Sequence, residues 1–478
     1  MIYMNLLTSS SVITGLWQIA DMERDGRKTD PALLASEMKK YIDAGLSMFD
    51  MADHYGSSEL ITGNLLKNYP DIKGIFLTKW VPDPANISKE ETRKAVIRAL
   101  ERMKLDQLPL LQFHAWQYAN PNWLDCLWWL EELRSEGLIA NIGVTNFDTA
   151  HLNMALQTGI NISSNQICFS LLDRRAQNGM LDLCMNHNIS VYAFGTVAGG
   201  FFSERWLNKP EPAQNELQNW SLMKYKRFID VIGGWEIFQR LLRSLHDVAT
   251  RHQVSIANIA SRYILDTPGI TAVIIGARLG ERSHLESNLK LQSLKLSVED
   301  RKLMKSLLNE FQPVPGDCGD EYRKPPFLTA SGDLSHHLGG LPNPFRSNQN
   351  KAGHLNVFSG TIWEPMAGFS RAVRLGNKVY VSGTTATHGS RVIGGQDPGA
   401  QTHFILDKIE GALISAGSSM DDIVRTRVYI KNTDIWEPVA RAHGQRLGHI
   451  MPANTMVAAN IIGDEYLVEI EAEAVVRS

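Results

Sequence analysis

Cysteine is scarce: four residues in 478, Cys126, Cys168, Cys184 and Cys318, with no Cys-x-x-Cys spacing. That argues against a disulfide framework and a cysteine metal site, and it points to a reducing, cytoplasmic compartment. No run of about 20 apolar residues occurs, so no membrane-spanning helix is expected. The start, MIYMNLLTSSSVITGLW, lacks a basic leader and a sustained apolar core, which argues against a secretory signal. An excess of one charge sign is also missing. A net charge of −3 leaves no broad positive field for nucleic-acid phosphates. There are no biased tracts and no internal repeat, and 44% apolar with 21% charged residues is the balance of a soluble globular chain. At 478 residues it is too long for one ordinary domain, so two or three are expected.

From residue 11 to about 310, short apolar runs alternate with helical patterns. The runs are SSVITGLW (10–17), LSMFDM (46–51), GIFLTKW (74–80), LPLLQFHAW (108–116), LIANIGVTNF (138–147), INISSNQICF (160–169), ISVYAFG (189–195) and TAVIIGA (271–277). Between them lie helical stretches such as 30–45, 88–103 and 122–137, the last opened by Pro121 and closed by Gly137. Continuously apolar strands, each followed by a helix, mean parallel strands covered on their outer face. Eight of them over roughly 250 residues predict a (β/α)8 barrel. An open doubly wound sheet is the rival, but no GxGxxG opens the first βα turn. Residues 316–352 are rich in proline, glycine and polar side chains and read as a linker or extension. Within it His336 and His337 have no further ligand types flanking them, so they read as solvated residues and no metal site is expected. After it the texture becomes that of a small α+β domain over 353–478, with strands at 372–387, 423–432, 455–463 and 465–476 around helices at 398–417 and 433–448.

Barrel enzymes build their sites from the C-terminal ends of different strands. Here those ends carry Asp50, Lys79, His114, Asn146, Gln166 and Phe194, and Tyr55 follows Asp50 in FDMADHYGSSE. A free tyrosine has a pKa near ~10 and is a poor acid at neutral pH. A neighbouring lysine cation stabilises its anion, and a carboxylate holds that lysine in place. Asp50, Lys79 and Tyr55 therefore suit an activated proton donor, with His114 to orient a carbonyl oxygen. No nucleophile or hydride source is present in the protein itself, so a cofactor is needed.

FDMADHYGSSE, FLTKW, LLQFHAW, NIGVTNF, SNQICFSLLDR and VYAFGTVAGG resemble the successive signatures of the aldo-keto reductases, over residues 1–315. The resemblance implies a catalytic tetrad of Asp50, Tyr55, Lys79 and His114, with Tyr55 as proton donor. It implies that Thr145, Asn146 and Gln166 bind the nicotinamide carboxamide and that Phe194 stacks on its ring. IIGARLGERSHLESN (274–288) resembles the adenosine-phosphate segment, placing Gly276, Arg278 and Asn288 at an NADPH/NADP+ site, although His284 and Ser287 depart from the usual residues. Trp17 and His54 are expected to line the substrate pocket.

Residues 354–477 resemble the Rid/YjgF family through GFSRAVRLGNKVYVSG, ALISAGSSMDDIVRTRVYI, MPANTMVAA and LVEIEAEAV. Members are usually trimers, and many hydrolyse enamines or imines. The deaminating members carry an arginine after Pro-Ala that grips a substrate carboxylate. This chain has Asn454 there, with Phe369 where tyrosine is common and Glu469 at the acidic position. The expected activity is NADPH-dependent reduction of an aldehyde, ketone or imine, with the second domain serving assembly or ligand handling. The expected partners are a small-molecule carbonyl substrate and further copies of the chain, in a trimer-based homo-oligomer, with no nucleic acid and no membrane. Two other readings are an enamine or imine hydrolase coupled to carbonyl reduction, and a protein that senses NADPH occupancy.

Overall fold

All eight apolar runs become strands, and they close on themselves. The computed structural model describes residues 10–23, 28–217, 219–324 and 340–477. The strands are β1 (Val12–Gly15), β2 (Met48–Asp50), β3 (Ile75–Trp80), β4 (Leu110–His114), β5 (Ile142–Thr145), β6 (Ser164–Cys168), β7 (Ser190–Phe194) and β8 (Ile270–Gly276). Each pairs in parallel with the next, and β8 pairs with β1, so the barrel has no edge. At that closing seam Gly15 lies opposite Gly276, and a Cβ on Gly15 would stand 2.7 Å from Ile274 Cγ2. Side chains alternate along a strand, so every second residue points into the barrel. The inward set below the strand ends is apolar: Ile13, Met48, Leu77, Leu110, Tyr192, Ala272 and Ile274 form one buried cluster. Two residues further along their strands stand Asp50, Lys79, Gln112, Phe194 and Gly276, so three polar side chains sit above the apolar cluster.

The outer helices start and stop where the sequence chemistry says they should. Asp30 and Ser88 cap the helices Pro31–Asp43 and Lys89–Met103 through side chains that accept from backbone N–H groups. The helix Asn122–Ser135 follows Pro121, and Gly137 beyond it takes the left-handed φ of +86° that favours glycine. Among the described residues no helix is long and apolar enough to cross a membrane.

The stretch read as a linker or extension is an extension in part. Its first part folds back as a strap onto the barrel, with Cys318, Asp320 and Glu321 buried and a short helix at Asp320–Arg323. The histidine pair at 336–337 lies outside the described residues. By contact the chain divides into two units, the first comprising residues 1–116, 129–149 and 162–340 and the second 117–128, 150–161 and 341–478.

The second unit holds β9 (Arg346–Gln349), β10 (Leu355–Phe358), β11 (Ala372–Leu375), β12 (Lys378–Thr385), the short pair β13 (Thr387–His388) and β14 (Arg391–Val392), β15 (Ile423–Ile430), β16 (Ala453–Ala458) and β17 (Val468–Val475). Its main sheet runs β16-β15-β17-β12-β11-β10-β9. β15 and β16 pair in parallel, joined by the helix Trp436–Leu447, while β17 runs antiparallel between β15 and β12. The helix Pro398–Ser415, buried along most of its length, covers one face, and β17 alternates buried and half-buried accordingly.

Candidate active site

Residues from three consecutive strands and one loop meet at the mouth of the barrel. Asp50 ends β2, Lys79 lies one residue before the end of β3, and His114 ends β4. Tyr55 follows in the loop after β2. The Lys79 ammonium donates to both Asp50 oxygens, at 2.7 and 2.6 Å, and to the Met51 carbonyl at 2.9 Å. Both partners are buried, and the ammonium stands 4.8 Å from the centre of the Tyr55 ring. Burial pushes the Lys79 pKa down, and Asp50 opposes that shift by charge and by hydrogen bonding.

The sequence reading missed one member of this network. Gln112 is fully buried two residues before His114 and donates to Asp50 Oδ1 at 3.1 Å, while Gln166 donates to the same oxygen at 2.7 Å and to Gln112 Oε1 at 3.1 Å. The i, i+2 spacing of Gln112 and His114 on a strand is the signal that would have found it. Four hydrogen bonds thus hold the Asp50 carboxylate and fix its ion pair beneath the tyrosine.

His114 is 3% exposed, and its Nε2 has no hydrogen-bond partner among the described residues. Its Nδ1 lies 3.4 Å from the Thr145 carbonyl, at the weak end of hydrogen-bond range. A carbonyl oxygen arriving at Nε2 therefore favours the Nε2–H tautomer at small cost. Burial, followed by the charge of Arg323, presses the His114 pKa well below its ordinary value, against a smaller opposing pull from Thr145. The imidazole is accordingly neutral through the physiological range. A pH profile of kcat/KM is expected to show no break near ~6.5 from this histidine. A limb there that disappears in His114→Gln would contradict the neutral assignment.

Around the tetrad lies an aromatic wall. Trp17 packs edge-on against Tyr55 at 5.0 Å and against His54 at 6.2 Å, and it meets Trp220 at 5.7 Å. His54 pairs with Asp53 at 2.8 Å, which turns its ring edge-on to Tyr55.

The residues expected to hold a nicotinamide cofactor are also drawn to this end. Asn146 adopts a left-handed φ of +58°, uncommon for a residue other than glycine, and its buried Oδ1 has no partner among the described residues. Thr145 Oγ1 donates to the Gln166 carbonyl at 3.1 Å. Gln166 itself spends its amide N–H on Asp50 and Gln112, leaving its oxygen for a ligand. Phe194 packs on the apolar layer at the end of β7. Asn288 is 4% exposed and its Nδ2 has no partner among the described residues, while a Cβ added at Gly276 would lie 3.4 Å from Gln18 Cγ. Unpartnered buried amides are costly unless a ligand completes them. An acceptor at Asn146 and a donor at Asn288 suit a carboxamide N–H and an adenine ring nitrogen. Arg278 does not stand free: it forms an ion pair with Asp21 and lies 3.5 Å from Glu281.

The strap adds residues that composition hid. Arg323 donates to the Ala115 carbonyl at 3.0 and 2.6 Å and to the Asn146 carbonyl at 2.6 Å, the residues directly after His114 and Thr145. Gly319 makes that approach possible, since a Cβ there would lie 2.0 Å from the Asn146 oxygen. Tyr322 stands edge-on to His114 at 5.7 Å and accepts a hydrogen bond from Lys224 at 2.8 Å. Glu321 is fully buried and pairs with Arg175 at 2.7 Å, and Arg175 also grips Asp173 at 2.8 and 2.6 Å. Cys168, Asp173 and Glu321 lie within metal-ligand reach of one another, but the Arg175 guanidinium already engages both carboxylates, leaving Glu321 Oε1 without a hydrogen bond among the described residues.

In the second unit, Phe369 and Glu469 gather about the buried Arg371, whose guanidinium lies 5.3 Å from the Phe369 ring. Burial pushes the half-buried Glu469 carboxyl up, and Arg371 opposes this. Gly383 leaves it room, because a Cβ there would stand 2.0 Å from Glu469 Oε1. Asn454 is not part of this grouping within one chain. It sits on the edge strand β16, in register with Thr426, and donates to Thr426 Oγ1 at 2.9 Å.

Comparison with known proteins gives two separate matches. Residues 11–309 match the model of the aldo/keto reductase family, and residues 361–476 match that of endoribonuclease L-PSP. The NADH-specific methylglyoxal reductase of Escherichia coli (strain K12) is 25% identical over 324 residues, covering 63% of this chain and 95% of the relative. The glycerol dehydrogenase of Gluconobacter oxydans shares the fold with 21% identity and a TM-score of 0.53, over 64% of this chain and 94% of that one. A member of the YjgF/YER057c/UK114 family from Mycobacterium tuberculosis is 42% identical over 26% of this chain and 99% of its own, with a TM-score of 0.24.

Proposed function

Because this chain belongs to the aldo/keto reductase family, an oxidoreductase family acting on carbonyl compounds, we propose that it reduces an aldehyde, ketone or imine with Tyr55 as the proton donor. The observation that carries this reading is the buried Lys79–Asp50 pair held against the Tyr55 ring, beside a histidine with an open Nε2. When bound, a reduced nicotinamide supplies the hydride. The protein's own part is positional and acid–base. His114 Nε2–H orients the carbonyl oxygen, Tyr55 delivers a proton to it, and the Lys79 charge stabilises the phenolate that remains. Trp17, His54 and Trp220 exclude water from the reacting atoms.

Arg278 supports NADPH as the cofactor, since a guanidinium suits a 2′-phosphate. Asp21 and Glu281 already engage it, and a carboxylate at a ribose favours a hydroxyl over a phosphate. The preference for NADPH over NADH is therefore expected to be modest, and Asp21→Asn to raise it several-fold. Steady-state turnover of a carbonyl panel with both cofactors checks this. Absence of cofactor-dependent turnover across the panel overturns the function, and an unchanged ratio in Asp21→Asn overturns the role given to Arg278.

The C-terminal domain is read as an assembly and ligand-handling module, on the support of Asn454, which carries no charge to grip a carboxylate and whose amide is engaged by Thr426. Ammonia release from enamine substrates is expected at background, and the mass in solution to be that of a trimer or a multiple of one. Deamination that survives Tyr55→Phe would favour the coupled hydrolase instead.

A further inference from the structure

Parallel strands hold each other by a ladder of backbone hydrogen bonds, and a ladder leaves backbone groups to be satisfied where it stops. β4 and β5 stop at His114 and Thr145, the last two residues that lie opposite each other in register. Ala115 and Asn146 come next, both buried, with their carbonyls beyond that final pair. Arg323 joins them. Its Nε and Nη2 donate to the Ala115 carbonyl at 3.0 and 2.6 Å, and its Nη1 donates to the Asn146 carbonyl at 2.6 Å. The guanidinium thus supplies one more rung, drawn from a strap far downstream in the chain.

Each end of that rung bears on the site. Ala115 directly follows His114, whose ring has only a long 3.4 Å contact to the Thr145 carbonyl and edge-on contacts with Trp116 at 4.6 Å and Tyr322 at 5.7 Å. Its backbone therefore carries much of its placement. Asn146 keeps a left-handed φ of +58°, a conformation that persists in such a residue where its surroundings hold it. Its N–H goes to the Gln166 carbonyl at 2.8 Å and its carbonyl to Arg323, so the backbone is tied on both sides of the side chain. Gly319 is shaped to this contact: its φ is +81°, and a Cβ there would lie 2.0 Å from the Asn146 oxygen and 2.5 Å from Arg323 Nη1. A guanidinium suits the task because its donors form a rigid planar fork, which a lysine lacks. The same cation, after burial, presses the His114 pKa down and favours the neutral ring.

We propose that Arg323 is a positioning residue for both halves of the reaction, a rung across β4 and β5 that sets His114 for the carbonyl oxygen and Asn146 for the nicotinamide carboxamide. This rests on the reductase reading given above, and it lies outside the family match, which ends at residue 309. One side chain of the strap thereby governs turnover and cofactor affinity together.

In the full-length chain, Arg323→Ala is expected to lower kcat about 10²-fold, the scale of a catalytic group displaced by ~1 Å, and to weaken NAD(P)H binding about tenfold by fluorescence titration. Methylguanidinium is expected to restore much of both losses and methylammonium neither, because only a planar fork reaches both carbonyls. Arg323→Lys keeps the charge and loses the fork, so its kcat is expected to fall about tenfold while it melts close to wild type. It decides the proposal if the alanine variant does not fold. Wild-type kcat in Arg323→Lys overturns the proposal, as does a lysine variant that fails to fold. So does a loss in Arg323→Ala that follows the folded fraction and ignores methylguanidinium, since that leaves a purely structural clamp. If the wild type turns over no carbonyl, the reductase reading fails separately. The NAD(P)H titration then still decides the role at Asn146: weakening in Arg323→Ala that methylguanidinium relieves supports it, and equal or absent binding overturns it.

Discussion

Tyr55→Phe is expected to lower kcat by about 10²–10⁴-fold, the usual worth of positioned acid catalysis, with NAD(P)H affinity within a few-fold of wild type. The substitution removes one oxygen and leaves the ring that packs on Trp17 and Lys79. Its effect therefore isolates the proton. Lys79→Met is expected to cost a comparable factor by a different route. It strips the phenolate of its counter-charge and leaves the Asp50 carboxylate with only the Gln112 and Gln166 amides. Two further signs separate the variants: Lys79→Met is expected to melt lower as well, since one partner of a buried ion pair remains uncompensated, whereas Tyr55→Phe is not. Stopped-flow and steady-state rates with both cofactors, alongside thermal melts, check this. A phenylalanine variant retaining wild-type turnover would remove Tyr55 from the mechanism.

Arg175→Met is expected to destabilise the barrel unit by about 3–5 kcal/mol and to lower activity without touching a reacting group. The guanidinium pairs with both Asp173 and Glu321 and also donates to the Asp317 carbonyl at 2.7 Å, so one side chain clips the strap to the barrel. Burial pushes the Glu321 carboxyl up, and Arg175 followed by Lys224 more than reverses it, leaving its pKa below the ordinary value. A depressed carboxylate pKa contributes stability that is complete above the unfolded value of ~4.3 and is lost as pH falls through the native value. The deficit of Arg175→Met relative to wild type should thus be full at neutral pH and shrink in acid below ~4.3. Denaturant titrations at both pH values read it directly, and a deficit independent of pH would mean that the packing of the side chain, not its charge, carries the effect.

The barrel was legible in the sequence because parallel strands buried on both faces need unbroken apolar runs, and those runs stand out whatever surrounds them. Asp50, Lys79 and His114 were legible for the complementary reason: they are polar residues at the ends of such runs, where burial without a function is hard to explain. Gln112 was overlooked because it sits inside its run and its meaning depends on which way it faces. The contacts of the strap, which the sequence shows only as a linker or extension, were illegible on different grounds. Gln312 to Lys324 is polar and rich in proline and glycine, and its burial comes from ion pairs and backbone carbonyls just past distant strands, which local pattern does not reveal. In the second unit β11, β12, β15 and β17 follow from alternation. β9 is mostly exposed and β10 mostly half-buried, and both lack that signal.

Arg323 meets residues 208 and 177 positions before it in the chain, Ala115 and Asn146. Both carbonyls directly follow strands translated long before the arginine leaves the ribosome. The eight strands can close as soon as Gly276 is available, but the wall above His114 must wait for residues 317–323, and the loop closed by that contact is long and entropically slow to find. Catalytic competence therefore trails barrel formation during synthesis. A chain ending at residue 309, where the family match stops, would have every strand and no roof.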